Sequence, residues 1–260
     1  MSEKEKYELD GYVGPIDLIK EDEVRSCYKS FFESIGQDSN CPGPAGGNMG
    51  GYFTRYDWAY RLATHPDVLE RMAQFLGEDV LLWAMHFWYK SPKHPTWIPW
   101  HQDNSYWPME PSINASAWIT LGETFPENGC LQVIPGSHRK AIPHDHQPGE
   151  GASFGRGISS DVVESLGGPH VLTMRPGQGV FFNESLIHGS EPNISDVPRV
   201  AFSLRYTTPE VVFDESKFND AWKENLRTVL VRGKDRFGHN LGMRWTAPSE
   251  WERETEATLA

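Results

Sequence analysis

The stretch GVFFNESLIHGS, residues Gly179 to Ser190, contains the pattern that most clearly indicates the class of fold. It is a short β-rich run that follows a glycine and carries a histidine, His188, directly before a second glycine. Short apolar runs between turn-forming residues are typical of strands in all-β folds. The stretch therefore predicts a strand with a histidine at its end.

Five further segments of this kind lie in the chain from Val80 onward, separated by Gly and Pro. Several short strands with turn signals between them indicate an all-β sandwich or barrel, here with helices packed outside. The segments are VLLWAMHFWYK (80–90), SINASAWITL (112–121), GCLQVIPGS (129–137), HVLTMRPG (170–177) and RVAFSLRYTT (199–208).

Helical periodicity appears on both sides of a glycine-rich connector. Residues 18–36 place apolar side chains at helical spacing and end at Gly36, and HPDVLERMAQFLG (65–77) has a proline in its first turn and a terminal glycine. The connector CPGPAGGNMGG (41–51) is interpreted as a turn-rich loop, with a mobile lid as the alternative. The stretch DAWKENLRTVLVRG (220–233) is interpreted as a short helix.

Length and charge limit the classes of protein that fit. The chain has 260 residues and a net charge of −12, so we predict one large domain and no nucleic-acid partner. The N-terminal residues are charged and no apolar stretch is long enough to span a bilayer, so we predict neither a secretory signal nor a membrane segment. Three cysteines without paired spacing indicate reduced thiols and a cytoplasmic location.

The stretch IPWHQDNSYW (98–107) contains the motif H-x-D, His101 and Asp103. The motif follows an apolar, β-rich segment, so the two side chains are predicted to project from one face of a strand. One histidine and one carboxylate are two of the three ligands of a facial triad, which leaves the other metal positions open. His188 offers the third ligand, and Arg199 opens the next strand with a guanidinium fork for a carboxylate.

The other histidines are weaker candidates. His144 and His146 form an H-x-H pair, but they lie in the polar, glycine-rich insertion 140–168, where the sequence shows nothing that would fix them. The insertion itself is too long for a hairpin turn and is interpreted as a loop beside the pocket. His138 is interpreted as bracing a turn.

With these residues in place, the chain resembles the phytanoyl-CoA dioxygenase (PhyH) family of Fe(II)- and 2-oxoglutarate-dependent oxygenases. The likeness covers roughly residues 8–210 and leaves 211–260 as a C-terminal extension of a single domain, 1–260. The resemblance implies a double-stranded β-helix, a jelly-roll of cupin type, with flanking α-helices. It rests on YELDGYVGPIDLI (7–19), WHQD (100–103), AWITLGETFPENGCLQVIPGSHR (117–139), GQGVFFNESLIHGS (177–190) and PRVAFSLRY (198–206).

The resemblance also implies roles for individual residues. His101, Asp103 and His188 match the catalytic iron ligands, and Arg199 matches the residue that pairs with the far carboxylate of 2-oxoglutarate. Ser190 and Trp118 match further positions that bind or line the site of this cosubstrate, and His86 or Trp88 on the preceding strand either contacts cosubstrate or substrate or only packs in the barrel. Predicted substrate contacts are Trp88, Asn104, Tyr106, Trp107 and Arg205.

The implied activity is hydroxylation of a C–H bond in a small metabolite, with O2 as second cosubstrate and release of succinate and CO2. In halogenating relatives the carboxylate ligand is Ala or Gly, so Asp103 favours hydroxylation over chlorination. Desaturation, epoxidation or cyclisation in natural-product biosynthesis stays open. A non-catalytic jelly-roll binding module and a zinc-dependent hydrolase are the alternatives from other classes. The sequence identifies neither the substrate nor the oligomeric state.

Overall fold

The computed structural model describes residues 1–36, 51–218 and 220–251. Antiparallel strands dominate it, as the sequence predicts, and helices flank them. The predicted connector lies outside the described residues except for Gly51. The strands are β1 (Tyr12–Asp17), β2 (Val80–Lys90), β3 (Ile98–His101), β4 (Met109–Glu110), β5 (Asn114–Thr120), β6 (Leu131–Val133), β7 (His170–Leu172), β8 (Gln178–Asn183), β9 (His188–Ser190), β10 (Arg199–Thr207), β11 (Val212–Phe213) and β12 (Val229–Arg232).

Two larger sheets organise these strands. The six-stranded sheet has the order β1-β8-β5-β10-β2-β12, the four-stranded sheet has the order β3-β9-β6-β7, and β11 pairs with β4. The opening stretch of the sequence forms two strands rather than one, because the chain turns between Asn183 and Leu186, where Leu186 N–H donates to the Asn183 carbonyl at 2.9 Å. Its first half therefore belongs to the larger sheet and its histidine to the smaller one.

The helices are confirmed in part. Pro66 stands at the first position of its helix and Gly77 ends it with a φ of 93°, as expected for a chain that must leave the helix there. The helix predicted for 18–36 is α-helical only to Phe31 and continues as a π-helical turn. The helices are α1 (Glu3–Asp10), α2 (Glu21–Phe31), α3 (Asp57–Ala63), α4 (Pro66–Leu76), α5 (Ser160–Ser165) and α6 (Asp220–Asn225).

The helix predicted for residues 220–233 is wrong in its second half. Only Asp220–Asn225 is helical, and Val229–Arg232 forms β12, which pairs antiparallel with β2. Val229 lies opposite Leu82, and both are buried. The apolar residues of this segment therefore lie in an edge strand of the sheet rather than on one face of a helix.

A cluster of buried side chains fills the space between the two larger sheets. Trp118, Val180 and Phe182 come from the six-stranded sheet, and Leu131 and Val133 come from the four-stranded sheet. Residues that face each other from two sheets in this way form the core of a sandwich. The core thus packs against the strands that carry His188 and Arg199.

The chain divides into two compact units, and the predicted single domain stays a prediction. In the second unit, the Trp83 ring packs against Phe213 and its N–H donates to Asn114, while the Tyr206 hydroxyl donates to the Ala63 carbonyl. The first unit comprises 1–47, 87–107 and 116–203, and the second comprises 48–86, 108–115 and 204–260.

Candidate metal centre

Three side chains from separate parts of the sequence gather in the first unit. His101, Asp103 and His188 each offer one ligand atom, and these atoms all lie within 4.8 Å of one another. The three residues are buried: 2% of the surface of His101 is exposed, and 5% of the surface of Asp103 and of His188. Two imidazoles and one carboxylate at this spacing make a donor set for a divalent transition metal.

Strand pairing places the two histidines. His101 lies directly opposite His188 in the antiparallel pair of β3 and β9, and their ring centroids are 4.1 Å apart. On its other side His188 is paired with Val133 of β6. The histidine of β9 is therefore fixed by neighbours on both sides.

The expectation that Asp103 shares a strand face with His101 is wrong. The strand β3 ends at His101, and Asp103 is the first residue of a one-turn 3-10 helix, Asp103–Tyr106. The chain leaves the sheet at this point, and Asn104 N–H donates to the Glu184 carbonyl at 3.3 Å. The carboxylate still approaches both rings, with Asp103 Oδ1 at 3.5 Å from His101 Nε2 and Oδ2 at 3.9 Å from His188 Nε2.

Backbone carbonyls fix the orientation of both imidazoles. His101 Nδ1 donates to the Pro99 carbonyl at 2.8 Å, and His188 Nδ1 donates to the Leu186 carbonyl at 3.0 Å. A carbonyl oxygen only accepts, so the proton of each neutral ring is on Nδ1 and the lone pair of Nε2 points toward Asp103. This is the arrangement that ligating histidines adopt.

Gln102, the middle residue of the H-x-D motif, anchors the ligand loop. It is fully buried, and its side-chain amide donates to the carbonyls of Lys140 and Ser185 at 2.8 and 2.6 Å. Its Oε1 accepts from Ile142 N–H at 2.8 Å. The ligand loop is thereby tied to the insertion and to the turn before His188.

The structure gives His144 a role that the sequence did not suggest. Its Nε2 accepts from the Gln102 backbone N–H at 2.8 Å, and its Nδ1 lies 3.0 Å from the Ile142 carbonyl and 3.1 Å from the Ser105 hydroxyl. His144 therefore braces the ligand loop. It is not part of the metal-ligand cluster found among the described residues, and neither is His146.

Aromatic rings line the cluster. The Phe154 centroid lies 4.9 Å from His101, Tyr106 lies 6.0 Å from the same ring, and Phe182 lies 4.8 Å from His188. Phe154 belongs to the insertion, which confirms that this loop lies beside the site. Burial raises the pKa of Tyr106, and its hydroxyl donates to the Arg156 carbonyl at 2.8 Å.

Arg199 lies at the start of β10 with 1% of its surface exposed. Its Nη1 donates to the Gly129 carbonyl at 2.9 Å, while its Nε and Nη2 are buried and have no hydrogen-bond partner among the described residues. Its guanidinium stands 5.7 Å from the Trp118 ring centroid. Burial lowers the pKa of Arg199 to about 9. A buried guanidinium with two unused N–H groups is a site for an anion.

Ser190, at the end of β9, is also buried, and its hydroxyl oxygen accepts from Lys90 Nζ at 2.8 Å. Lys90 is not among the site residues predicted from the sequence, although a lysine at the end of an otherwise apolar, β-rich run was a signal for it.

The remaining predicted residues have varied surroundings. Trp88 is partly buried against the core, and its N–H donates to Ser203 Oγ at 2.8 Å. Asn104 donates to the Ser185 hydroxyl at 2.8 Å, and Trp107 is half-buried. His86 and Arg205 are buried in the second unit. Their predicted substrate or cosubstrate roles stay predictions.

The fold and the site define a class: a cupin-like, double-stranded β-helix protein with a two-histidine, one-carboxylate centre. The family model "Phytanoyl-CoA dioxygenase (PhyH)" matches residues 7–201. The chain therefore belongs to the phytanoyl-CoA dioxygenase family.

Two curated relatives illustrate this membership. Phytanoyl-CoA dioxygenase, peroxisomal, of Homo sapiens is 32% identical over 181 residues, which is 66% of this chain and 52% of that protein. Ectoine dioxygenase of Bordetella bronchiseptica is 30% identical over 172 residues, 61% of this chain and 56% of that protein. The chain thus spans about half the length of the curated relatives it matches.

A solved structure has the same fold. The apo form of ThoJ, described as a non-heme monooxygenase, superposes with a TM-score of 0.77 at 23% identity and covers 99% of this chain and 93% of its own. This likeness confirms the predicted jelly-roll class. Among the helices that the structure describes, none combines the length and the apolar character that crossing a membrane requires.

Proposed function

We propose that the protein is a non-heme Fe(II)- and 2-oxoglutarate-dependent oxygenase that hydroxylates a C–H bond of a small metabolite. One observation carries this proposal: a buried two-histidine, one-carboxylate cluster and a buried guanidinium, whose Nε and Nη2 have no partner among the described residues, adjoin the same core, through Phe182 and Trp118 respectively. The first feature suits a metal with open positions, and the second suits the far carboxylate of a dicarboxylic acid.

His101, Asp103 and His188 would hold the iron. Their donor set fits, because both Nε2 atoms present lone pairs and the carboxylate completes one face, as in other non-heme iron oxygenases. When bound, iron(II) and 2-oxoglutarate supply the oxidising chemistry, in which O2 is consumed, 2-oxoglutarate is converted to succinate and CO2, and the substrate gains a hydroxyl group.

The protein's own residues would bind and orient the cosubstrate and would exclude water from the site. Arg199 would donate two charge-assisted hydrogen bonds to the far carboxylate of 2-oxoglutarate, and Ser190 would donate a third. The Trp118 ring beside Arg199 would close one side of this pocket. Phe154 and Phe182 pack on the ligand histidines and would keep bulk water from the reacting atoms.

The substrate would be a small molecule of mixed polarity. Tyr106 and Phe154 form an aromatic wall beside His101, and Asn104 and Trp107 follow the ligand loop, where a substrate would meet the centre. Arg205 and Trp88 remain candidate contacts. The carboxylate of Asp103 occupies the position that is Ala or Gly in halogenating relatives, which favours hydroxylation over chlorination.

The anaerobic protein with Fe(II) and 2-oxoglutarate tests the proposal. We expect a weak visible charge-transfer band that is absent from a His188→Ala variant, and succinate formation above background when a screen reaches the substrate. The absence of both a band and 2-oxoglutarate affinity would favour a binding module, and metal-dependent hydrolysis without O2 consumption would favour a zinc enzyme. We also propose a cytoplasmic location and no nucleic-acid partner, which fractionation and a binding assay would check.

A further inference from the structure

Lys90 is a fully buried lysine at the end of β2. Lysine is rarely buried to this degree without a charged partner. Burial, with the Arg199 guanidinium adding to it, lowers the pKa of Lys90 to about 5. In the described part of the chain no carboxylate forms a salt bridge with either Lys90 or Arg199. Two basic side chains therefore share one buried region, where the nearby Glu191 carboxylate acts on Lys90 only at a distance longer than a salt bridge.

The hydrogen bonds of Lys90 Nζ are made to oxygens at the end of β9. Its Nζ donates to Ser190 Oγ at 2.8 Å, to the Ser190 carbonyl at 3.3 Å and to the Glu191 carbonyl. An ammonium group has three N–H donors and no acceptor, so three oxygens match its charged form. The neutral amine that the lowered pKa favours has only two N–H groups and leaves one of these oxygens without a donor, so an anion that restores the charged form would complete the set.

Gly129 lies next to both Arg199 and Lys90. Its carbonyl accepts from Arg199 Nη1 at 2.9 Å, and a Cβ at Gly129 would lie 3.0 Å from Lys90 Nζ and would clash with the Glu191 carbonyl. Its φ of +74° also favours glycine at this position. Lys90 and Arg199 thus approach Gly129 from two sides, and only a residue without a side chain fits between them.

We propose that Lys90 is a positioning residue for the cosubstrate: it holds the Ser190 hydroxyl so that Ser190 donates its proton to the far carboxylate of the 2-oxo acid. The proposal rests on the function proposed above. Because Ser190 Oγ accepts from Lys90, the hydroxyl hydrogen is directed elsewhere, and the remaining direction suits a negatively charged acceptor. The carboxylate in turn supplies the negative charge that Lys90 and Arg199 lack.

Binding of two keto acids tests this assignment. The probes are 2-oxoglutarate and pyruvate, which shares the keto-acid end and lacks the far carboxylate, titrated calorimetrically into cobalt(II)-loaded protein, where no turnover occurs. In Lys90→Met we expect the Kd of 2-oxoglutarate to rise about tenfold or more, since a charge-assisted hydrogen bond is lost. The Kd of pyruvate should stay within about twofold of wild type.

A double-mutant cycle separates positioning from a direct effect of charge. If Lys90 acts through Ser190, then Lys90→Met should weaken 2-oxoglutarate binding much less in a Ser190→Ala background than in wild type. Equal losses in both backgrounds would overturn the positioning role. Lys93→Met is the matched control, because Lys93 is exposed and donates to the Ile194 carbonyl in the same region.

The outcomes distinguish the two proposals. Wild-type protein that binds cobalt but not 2-oxoglutarate would overturn the proposed function. Wild-type protein that binds 2-oxoglutarate while Lys90→Met binds it equally well would overturn only the role of Lys90. If Lys90→Met does not fold, as judged by thermal unfolding, Lys90→Gln replaces it with the same expected loss of preference for 2-oxoglutarate over pyruvate.

Discussion

Two buried polar clusters of the first unit differ in how they meet their hydrogen-bonding needs. At the metal centre, His101 and His188 each donate to a backbone carbonyl. The side-chain nitrogen of Gln102 donates two hydrogen bonds and its side-chain oxygen accepts one. In the anion pocket, which we define as Arg199, Lys90 and Ser190, Arg199 has two buried N–H groups without a hydrogen-bond partner among the described residues, and no carboxylate forms a salt bridge with Lys90. The hydrogen bonds of the first cluster are satisfied within the protein, whereas the second destabilises the fold until an anion binds.

This difference predicts that substitutions in the two clusters reduce function alike but differ in their effect on stability. Residues of the metal centre support both the local structure and the site, so their loss should reduce both. Residues of the anion pocket cost stability in the free protein, so their loss should reduce cosubstrate binding and leave the fold intact. Four substitutions test this contrast.

The largest effect is expected for His188→Ala, which removes one metal ligand. Loss of residues that only support ligands costs 10–100-fold in metal affinity or activity, so loss of a ligand should exceed about a hundredfold in both. Cobalt(II) binding by visible absorption and 2-oxoglutarate-dependent succinate formation measure this. The control is His146→Ala, a histidine outside the cluster. Equal metal binding by wild type and His188→Ala would show that the cluster is not the metal site.

Arg199→Met should separate cosubstrate binding from stability. We expect the Kd of 2-oxoglutarate to rise about a hundredfold, because two charge-assisted hydrogen bonds are lost. The free energy of unfolding of the cosubstrate-free protein should stay the same or rise by about 1 kcal/mol, since a buried, unpaired cation is removed. Urea denaturation checks this. A loss of several kcal/mol would mean that Arg199 is a structural residue rather than part of an anion site.

Gln102→Glu should show how much the anchored ligand loop contributes to metal binding. A carboxylate cannot donate to the carbonyls of Lys140 and Ser185, so the loop loses two hydrogen bonds without a change in side-chain size. We expect metal affinity to fall about tenfold, as for other residues that orient ligands. Gln147→Glu, in the same insertion, is the control for added charge. Unchanged cobalt affinity in Gln102→Glu would show that the ligands hold their positions without this anchor.

The sequence predicted the metal centre better than the anion pocket, and the reason is physical. Strands place side chains with a period of two and end at turn residues, so a histidine at the end of a β-rich run is a local signal. The contact between Lys90 and Ser190 joins residues 100 positions apart, and no local pattern encodes it. The position of Phe154 depends on how the insertion folds back onto His101, which composition alone does not determine.

The errors in the fold have similar causes. Periodicity placed residues 80–90 correctly as one strand, but it merged β8 and β9, because the turn at Asn183 lacks glycine and proline. It also missed α1, although Ser2 and Glu5 form a capping box there and Gly11 ends the helix with a φ of 79°. That helix has few apolar residues, so only its caps indicated it.

The smallest effect concerns the protonation of Lys90 in the cosubstrate-free protein. The pKa of lysine is 10.5 in the unfolded chain and about 5 at Lys90 in the folded protein. Between these values the unfolded chain binds one proton more than the folded protein, so Lys90 makes the free energy of unfolding rise with pH. Lys90→Met lacks this contribution. Between pH 6 and 8, wild type should gain on the order of 1 kcal/mol per pH unit relative to the variant.

Urea denaturation at pH 6, 7 and 8 measures this difference. The groups that interact electrostatically with Lys90, namely Arg199, Glu191, Cys130 and His94, are present in both proteins, so the difference reports Lys90 together with its coupling to these groups. Lys93→Met should parallel wild type, because that lysine is exposed. Parallel curves for wild type and Lys90→Met would mean that Lys90 keeps its proton in the free protein. The anion pocket would then hold its full positive charge before the cosubstrate arrives, and its contrast with the metal centre would be sharper still.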